Sequence, residues 1–258
     1  MHLREARDFS RVRLHSLVNA RRLFAMDKIK VVLIDIDNTL LSFSEYVKNS
    51  MKEGFSHFGL KPYSEDMFHI FEEVNNGLWR QIEQGTLSFE ELKQIRWNRI
   101  FQELHIDFDG ITFEKYFREQ LFDSAIPEPG AMDLLNYLSS KYTLCAVSNG
   151  PYHQQMHRLE IGGMIGYFAH CFISSQVGAQ KPSRAFFDYC FKVLRSDGYP
   201  HLKPDEVFII GDSMTSDISG GLEYGIHTCL YRKNVPSVQY GRTAEYEFDS
   251  LSDVRNIL

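Results

Sequence analysis

The sequence lacks the features that mark several classes of protein. None of its apolar runs is long enough to cross a bilayer, so we expect neither a membrane-spanning helix nor a membrane partner. It has only four cysteines in 258 residues and no CxxC pair, which argues against a disulfide framework or a cysteine-bound metal. Basic residues are not in excess, because the formal net charge is -6, and this argues against nucleic-acid binding. The remaining composition is that of an ordinary globular protein, which we expect to be cytoplasmic.

The first 25 residues differ in composition from the rest of the chain. The stretch RDFSRVRLHSLVNARRLFA carries five arginines and one acid. It could form a basic amphipathic helix on a membrane, or serve as a targeting segment. We favour a dispensable N-terminal extension instead, because the stretch lacks the apolar core of a secretory signal and a compact domain would begin naturally at Met26.

Buried strands alternate with helices over most of the chain. Continuous apolar runs, which are typical of strands buried on both faces, occur at 30–36, 142–150, 170–175, 206–213 and 226–231. Helical patterns lie between them at 130–142, 183–196 and 215–225, the last ending at Gly225. This alternation predicts an α/β fold: a Rossmann-like parallel sheet with helices on both faces.

Residues 44–122 interrupt the alternation, because they show helical periods and almost no buried-strand run. Ser88 followed by Glu91 fits a capping box at the start of one of these helices. The turn-rich IPEPG stretch at 126–130 marks the return to the sheet. We therefore predict an inserted α-helical cap domain at 44–122, and a catalytic core formed by 26–43 and 123–258.

The ends of the predicted strands carry a consistent set of polar side chains. In open α/β sheets, ligands bind beyond the carboxyl ends of the strands. The first strand delivers Asp35, Asp37 and Thr39, the second delivers Ser148 and Asn149, the third is followed by Lys181, and the fourth delivers Asp212 with Asp217 close behind. All these groups suit a phosphate or a hard metal ion.

Asp35 and Asp37 pose an electrostatic problem that a metal ion can solve, because two ionised carboxylates this close repel each other. Together with Asp212 they can supply oxygens to Mg²⁺, which also neutralises phosphate charge. One ionised aspartate can attack phosphorus to form an aspartyl-phosphate, while a second carboxyl, kept protonated by its anionic neighbours, protonates the leaving group. The candidate ligands of the transferring phosphoryl group are Ser148, Asn149 and Lys181.

Four short motifs, DIDNTL, SNG, QKP and GDSMTSD, follow one another at the strand ends. In this order they resemble the motifs of the haloacid dehalogenase-like (HAD) hydrolase superfamily, and the resemblance covers residues 28 to 235. It implies a Mg²⁺-dependent enzyme with these roles: Asp35 as nucleophile, Asp37 as general acid/base and as metal ligand through its backbone carbonyl, Ser148 as phosphate ligand, Lys181 as the catalytic lysine, Asp212 as metal ligand, and Asp217 as support of the metal site.

Two longer stretches, ISSQVGAQKPSRAFFDYCF and IIGDSMTSDISGGLEYGIHTCLY, resemble the HAD branch that includes pyrimidine 5′-nucleotidases. This implies hydrolysis of nucleoside 5′-monophosphates, with pyrimidines preferred. We expect a small phosphorylated substrate and a monomer or homodimer. The alternatives are a phosphatase of sugar phosphates or phosphoglycolate, a phosphoglucomutase-like phosphotransferase, and a catalytically silent binding module on the same fold.

Two further groups of side chains allow more than one interpretation. The aromatic residues of the insertion could stack on a nucleobase or form the core of the cap, and we favour the core: Trp79, Phe89, Trp97 and Phe101. His153 and His157 have the spacing of a zinc pair on a helix, but a solvated helix is the better interpretation because no third ligand is evident nearby.

Overall fold

The structure is a computed structural model, and it describes residues 26–233 and 243–258. The predicted N-terminal extension, residues 1–25, lies outside the described residues. No helix in the described ranges combines the length and apolar character needed to cross a membrane. All four cysteines are free, three of them buried and Cys171 half-buried.

Within the described ranges, a six-stranded sheet, parallel throughout, forms the centre of the molecule. Its strands are β1 (Val31–Asp35), β2 (Thr143–Ser148), β3 (Phe168–Ile173), β4 (Val207–Gly211), β5 (His227–Tyr231) and β6 (Tyr246–Phe248), in the spatial order β3-β2-β1-β4-β5-β6. Strand β1 is central and every residue of it is buried. This explains its unbroken apolar sequence, since both faces of the strand meet helices.

Helices cover both faces of the sheet, as the sequence predicts. They are α5 (Ala131–Ser139), α6 (Tyr152–Ile161), α7 (Ser174–Val177), α8 (Arg184–Ser196) and α9 (Ser219–Tyr224). Val32 and Ile34 of β1 pack in one core cluster with α5 and α6, whereas Val31 and Leu33 pack in a second cluster with α8. Alternate residues of one strand therefore serve two cores, as the pleat requires.

Four helices lie between β1 and β2 and form a cap with its own core. They are α1 (Phe43–His57), α2 (Glu65–Glu83), α3 (Phe89–Glu103) and α4 (Gly110–Phe122). Their apolar faces meet in an aromatic cluster that includes Phe55, Phe71, Trp97 and Phe117. The predicted capping box at Ser88 and Glu91 is confirmed, because both reciprocal hydrogen bonds are present.

The chain leaves for the cap and returns from it at adjacent positions. The Ser42 N–H donates to the carbonyl of Ile126 at 2.7 Å, and the Glu128 N–H donates to the carbonyl of Leu40 at 2.8 Å. A further hydrogen bond joins cap and core through α2, where Gln180 Nε2 donates to the carbonyl of Ile82 at 2.5 Å. The cap is thus hydrogen-bonded to the core through α2 as well as at its two connecting segments.

Some element boundaries differ from the predictions. Strand β3 ends at Ile173 rather than at residue 175, because Ser174–Val177 form a short helix. The helix predicted at 215–225 is two pieces, a π-helical turn at Met214–Ile218 and then α9, and it ends at Gly225 with φ 87° as expected. Strand β6 is an additional element with only three residues, too short to give a sequence signal.

Candidate active site

Strands β1, β2 and β4 end at one edge of the sheet and bring the predicted site residues together. The register pairs Asp35 with Val147, so Ser148 extends one residue past it, and Asp212 follows the last residue of β4. Asp35 and Ser148 are buried at this edge. Parallel strands with continuous apolar cores thus place the polar residues that follow them in one cluster.

Lys181 lies at the centre of this cluster, with its side chain only 1% exposed. Its Nζ donates to Asp35 Oδ1 at 2.6 Å, to Asp217 Oδ1 at 2.7 Å and to the Val147 carbonyl at 3.1 Å. Burial alone would lower the pKa of the ammonium, but Asp217 and Asp35 outweigh it and the pKa is raised. All three protons of the lysine are therefore used inside the protein.

Three carboxylates lie close together here, and Lys181 is paired with two of them, Asp35 and Asp217. Oxygens of Asp35, Asp212 and Asp217 all lie within 4.8 Å of one another. Burial, together with the negative charge of Asp217, raises the pKa of Asp35 to about 7 although Lys181 opposes the shift. Burial and the charges of Asp35 and Asp217 likewise raise the pKa of Asp212 well above its usual range. This excess of negative charge, presented as hard oxygen donors, fits a divalent cation such as Mg²⁺.

Asp217 is fixed by the loop that follows β4. Its Oδ2 accepts a hydrogen bond from the Ser213 N–H at 3.2 Å, while Oδ1 accepts from Lys181. A Cβ atom at Gly211 would lie 2.2 Å from Asp217 Oδ2, so only glycine allows the carboxylate to approach the strand end this closely. Asp217 thus orients Lys181 toward Asp35, besides lying within the acidic cluster.

The Asp37 carboxyl has partners that the sequence analysis did not identify. Arg158 Nη1 donates to its Oδ1 at 2.6 Å, and Gln155 Nε2 donates to its Oδ2 at 2.7 Å. The groups that contact this carboxyl are thus a guanidinium and an amide, and its role as general acid/base stays a prediction. These partners were missed because they lie on α6, more than 100 residues away from Asp37 in the sequence.

Ser148 and Asn149 are held in different ways. Ser148 Oγ accepts a hydrogen bond from Gln155 Nε2 at 2.7 Å, which leaves its hydroxyl hydrogen available to a ligand. The Asn149 side chain brackets the backbone of Lys181: Nδ2 donates to its carbonyl and Oδ1 accepts from its N–H, each at 2.8 Å. Asn149 therefore positions Lys181, and its contact with a phosphoryl group stays a prediction.

A cavity of about 670 Å³ lies between this cluster and the cap. Its cap wall combines aromatic, amide and charged side chains, among them Phe71, Asn75, Asn76, Trp79, Phe89, Glu72, Arg80 and Arg118. The four aromatic residues considered in the sequence divide into two pairs. Trp97 and Phe101 are buried in the cap core, whereas half-buried Trp79 and Phe89 line the cavity.

The pair of histidines on α6 has other contacts. His157 Nε2 lies 2.8 Å from Asp123 Oδ1, and its ring stacks on Phe122 at 4.4 Å between centroids. His153 is exposed to solvent. These surroundings agree with the interpretation of a solvated helix.

Comparison with known proteins decides the family. A family model described as haloacid dehalogenase-like hydrolase matches residues 29–225. The chain belongs to this family. It is 30% identical to the HAD-hydrolase YfnB of Bacillus subtilis over 90% of this chain and 97% of that protein. It is 28% identical to the pyrimidine 5′-nucleotidase PynA of Streptococcus pneumoniae over 89% of this chain and 94% of that protein.

A third relative and a solved structure extend the comparison. The pyrimidine 5′-nucleotidase YjjG of Escherichia coli is 27% identical over 88% of this chain and 96% of its own length. The crystal structure of YfnB bound to magnesium superposes with a TM-score of 0.79, 29% identity, and coverage of 89% of this chain and 98% of that one. Membership of the HAD-like hydrolases identifies the chain as an enzyme, rather than a silent binding module.

Proposed function

We propose that this HAD-like hydrolase is a Mg²⁺-dependent phosphomonoesterase that acts on nucleoside 5′-monophosphates through an aspartyl-phosphate. The observation that carries the proposal is the arrangement around Asp35. One of its oxygens is bound by Lys181 and the other by Thr39 Oγ1 at 3.2 Å, and it lines a cavity large enough for a small phosphate ester. A fixed carboxylate facing a cavity is what nucleophilic attack on phosphorus requires.

The first half of the proposed reaction forms the phosphoenzyme. An Asp35 oxygen bonds to phosphorus, the ester P–O bond breaks, and the leaving oxygen takes a proton from Asp37. Lys181 and the Ser148 hydroxyl stabilise the negative charge that spreads over the phosphoryl oxygens. Cap closure keeps bulk water away from this step.

The second half returns the enzyme to its starting state. Water attacks phosphorus, gives its proton to Asp37, and displaces Asp35 with release of inorganic phosphate. Asp35, Asp212 and the backbone carbonyl of Asp37 are the groups that would hold Mg²⁺, with Asp217 in support. When bound, the ion supplies positive charge that offsets the carboxylates and the phosphate.

Two observations support a nucleotide as substrate, with a pyrimidine base preferred. Relatives that are 27% and 28% identical over nearly the whole chain are pyrimidine 5′-nucleotidases. The cap wall offers Trp79 and Phe89 for stacking on a planar base, and the amide of exposed Asn76 for its polar edge. The absence of basic residues in excess fits a small substrate rather than a nucleic acid.

Sugar phosphates are the second candidate substrates. N-acylneuraminate-9-phosphatase of Homo sapiens is 22% identical over 80% of this chain, and glyceraldehyde 3-phosphate phosphatase of Pyrococcus furiosus is 23% identical over 87%. Trp79 and Phe89 in the cap wall favour a planar base over a sugar, so we place sugar phosphates second.

The test is phosphate release from a panel of mononucleotides, sugar phosphates and phosphoglycolate, with Mg²⁺ and with a chelator. We expect the highest kcat/KM on pyrimidine nucleoside 5′-monophosphates and no turnover without the metal. Equal rates on every ester would refute the nucleotide assignment while leaving the phosphatase chemistry intact. Phosphate kept on an isomerised sugar would instead indicate a phosphotransferase.

A further inference from the structure

Arg158 and Gln155 form a buried clamp around Asp37, and the proposed mechanism so far gives neither of them a task. Both side chains are about 1% exposed. They project one helical turn apart from α6, which begins just after Ser148. Arg158 reaches two places: Nη1 contacts Asp37, and Nε donates to the Ser124 carbonyl at 2.8 Å. Ser124 lies where the chain returns from the cap, directly after α4.

The donors and acceptors of the clamp fix its orientation completely. A guanidinium has only donors, so the Gln155 atom that accepts from Arg158 Nη1 at 2.9 Å must be Oε1. Gln155 Nε2 then faces the other way, and its two hydrogens go to Asp37 Oδ2 and Ser148 Oγ, each at 2.7 Å. Each Asp37 oxygen therefore has one donor, and rotation of the carboxyl would leave buried donors unpaired.

We propose that Arg158, assisted by Gln155, is a positioning residue that holds the Asp37 carboxyl where it exchanges protons with the substrate. The inference rests on the proposed function, in which Asp37 gives a proton to the leaving oxygen as the Asp35–phosphorus bond forms. Through its bond to Ser124, Arg158 also fixes this carboxyl relative to the chain returning from the cap. A proton donor displaced by about 1 Å transfers poorly, so the clamp acts on rate through Asp37.

The test compares two esters that need the proton to different degrees. The oxygen leaving an alkyl phosphate, such as uridine 5′-monophosphate or the best alkyl ester of the panel, needs a proton, whereas the nitrophenolate leaving p-nitrophenyl phosphate is a stabilised anion. For Arg158→Met we expect kcat/KM on the alkyl ester to fall about 10²-fold, within the range of general acid catalysis, and on the aryl ester less than about tenfold.

A second readout asks whether Arg158 acts through Asp37. When Arg158→Met is added to Asp37→Asn, we expect kcat/KM on the alkyl ester to change by less than about threefold, because the group that Arg158 positions is already gone. Arg158→Lys keeps one donor. Its kcat/KM on the alkyl ester should fall about tenfold, whereas its kcat/KM on the aryl ester should not change. It also serves as the test variant if Arg158→Met does not fold.

His157→Gln is the matched control, because His157 lies on the same helix and contacts Asp123 without touching Asp37. We expect this variant to have the wild-type kcat/KM on both esters. Equal losses on the two esters, or an undiminished effect of the Arg158 variants in the Asp37→Asn background, would overturn the inference and assign Arg158 to folding alone. A wild-type enzyme inactive on both esters would overturn the proposed function, and this inference with it.

Discussion

Lys181 is the residue on which the electrostatics of the site depends. It is buried between Asp35 and Asp217, and the Asn149 side chain both donates to its carbonyl and accepts from its N–H, which fixes the loop that carries it. A buried charge pair contributes little net stability compared with apolar residues, but the loss of one partner leaves the others uncompensated. Stability and, in the proposed mechanism, catalysis thus depend on the same side chain.

Replacing Lys181 with Met should therefore lower both stability and activity. Two buried carboxylates would be left facing each other, and we expect the free energy of unfolding to fall by about 3–5 kcal/mol in metal-free protein, with loss of turnover. Urea unfolding and phosphate release measure the two effects. Lys192→Met, at an exposed position on α8, is the control and should change neither. A Lys181→Met protein as stable as wild type would contradict the described pairing.

Sequence reasoning reached the residues that follow strands, but not those on helices. Asp35, Ser148 and Asp212 could be found because a buried apolar run leads directly into each of them, whereas Lys181 lies beyond the short helix α7 and was found through the QKP motif. Arg158 contacts Asp37 across 121 residues and from the middle of a helix, where an arginine ordinarily faces solvent. The glutamine and arginine spaced three apart, on a helix that starts at the second motif, are the only signal that could have indicated the clamp.

At the scale of elements, the cap was predictable as a helical insertion, whereas its inner wall was not. Helical periods and the capping box at Ser88 and Glu91 predicted an insertion at 44–122, and the four observed cap helices span Phe43 to Phe122. Which aromatic residue faces the cavity depends on how the helices rotate against one another. Trp97 enters the cap core, while Trp79 packs on Phe89 with ring centroids 5.9 Å apart at the cavity wall. Both tryptophans lie in helical patterns, but one packs in the cap core and the other lines the cavity.

Trp79 offers a direct test of the cap wall. Trp79→Leu removes the stacking surface, and a loss of about 1.4 kcal/mol of stacking should raise KM for a nucleotide about tenfold. KM for a base-free ester such as glycerol phosphate should not change. Leu87→Ala, in the same apolar cluster but outside the cavity, controls for cap stability. Equal changes in KM for both esters would argue against base stacking.

For the molecule as a whole, the contribution of the acidic cluster to folding stability depends on pH and on a bound cation. Asp35 has a pKa of about 7 in the folded protein against an ordinary 3.8. Because the folded pKa is raised, its proton stabilises the fold fully below about pH 4, and this contribution is lost as pH rises through about 7. A bound cation would offset this loss of stability at high pH, because it binds the carboxylates in their ionised form.

Mg²⁺ should therefore stabilise the protein more at high pH than at low pH. At about 100 times Kd and about pH 8, we expect Tm to rise by roughly 5–10 °C over protein in chelator, and to rise little at about pH 5. Thermal melts with and without the metal provide the measurement. Asp212→Asn, which lacks one proposed ligand, should lose most of the increment. The same increment at both pH values would show that the metal binds elsewhere.

The central claim, that Asp35 accepts the phosphoryl group, can be measured directly. Wild-type enzyme mixed with substrate and Mg²⁺, quenched rapidly in acid and digested, should yield one phosphorylated peptide, which contains Asp35. Asp35→Asn should fold normally, turn over no substrate and give no such peptide. Continued turnover by Asp35→Asn, or a phosphoryl group found on another residue, would contradict the account.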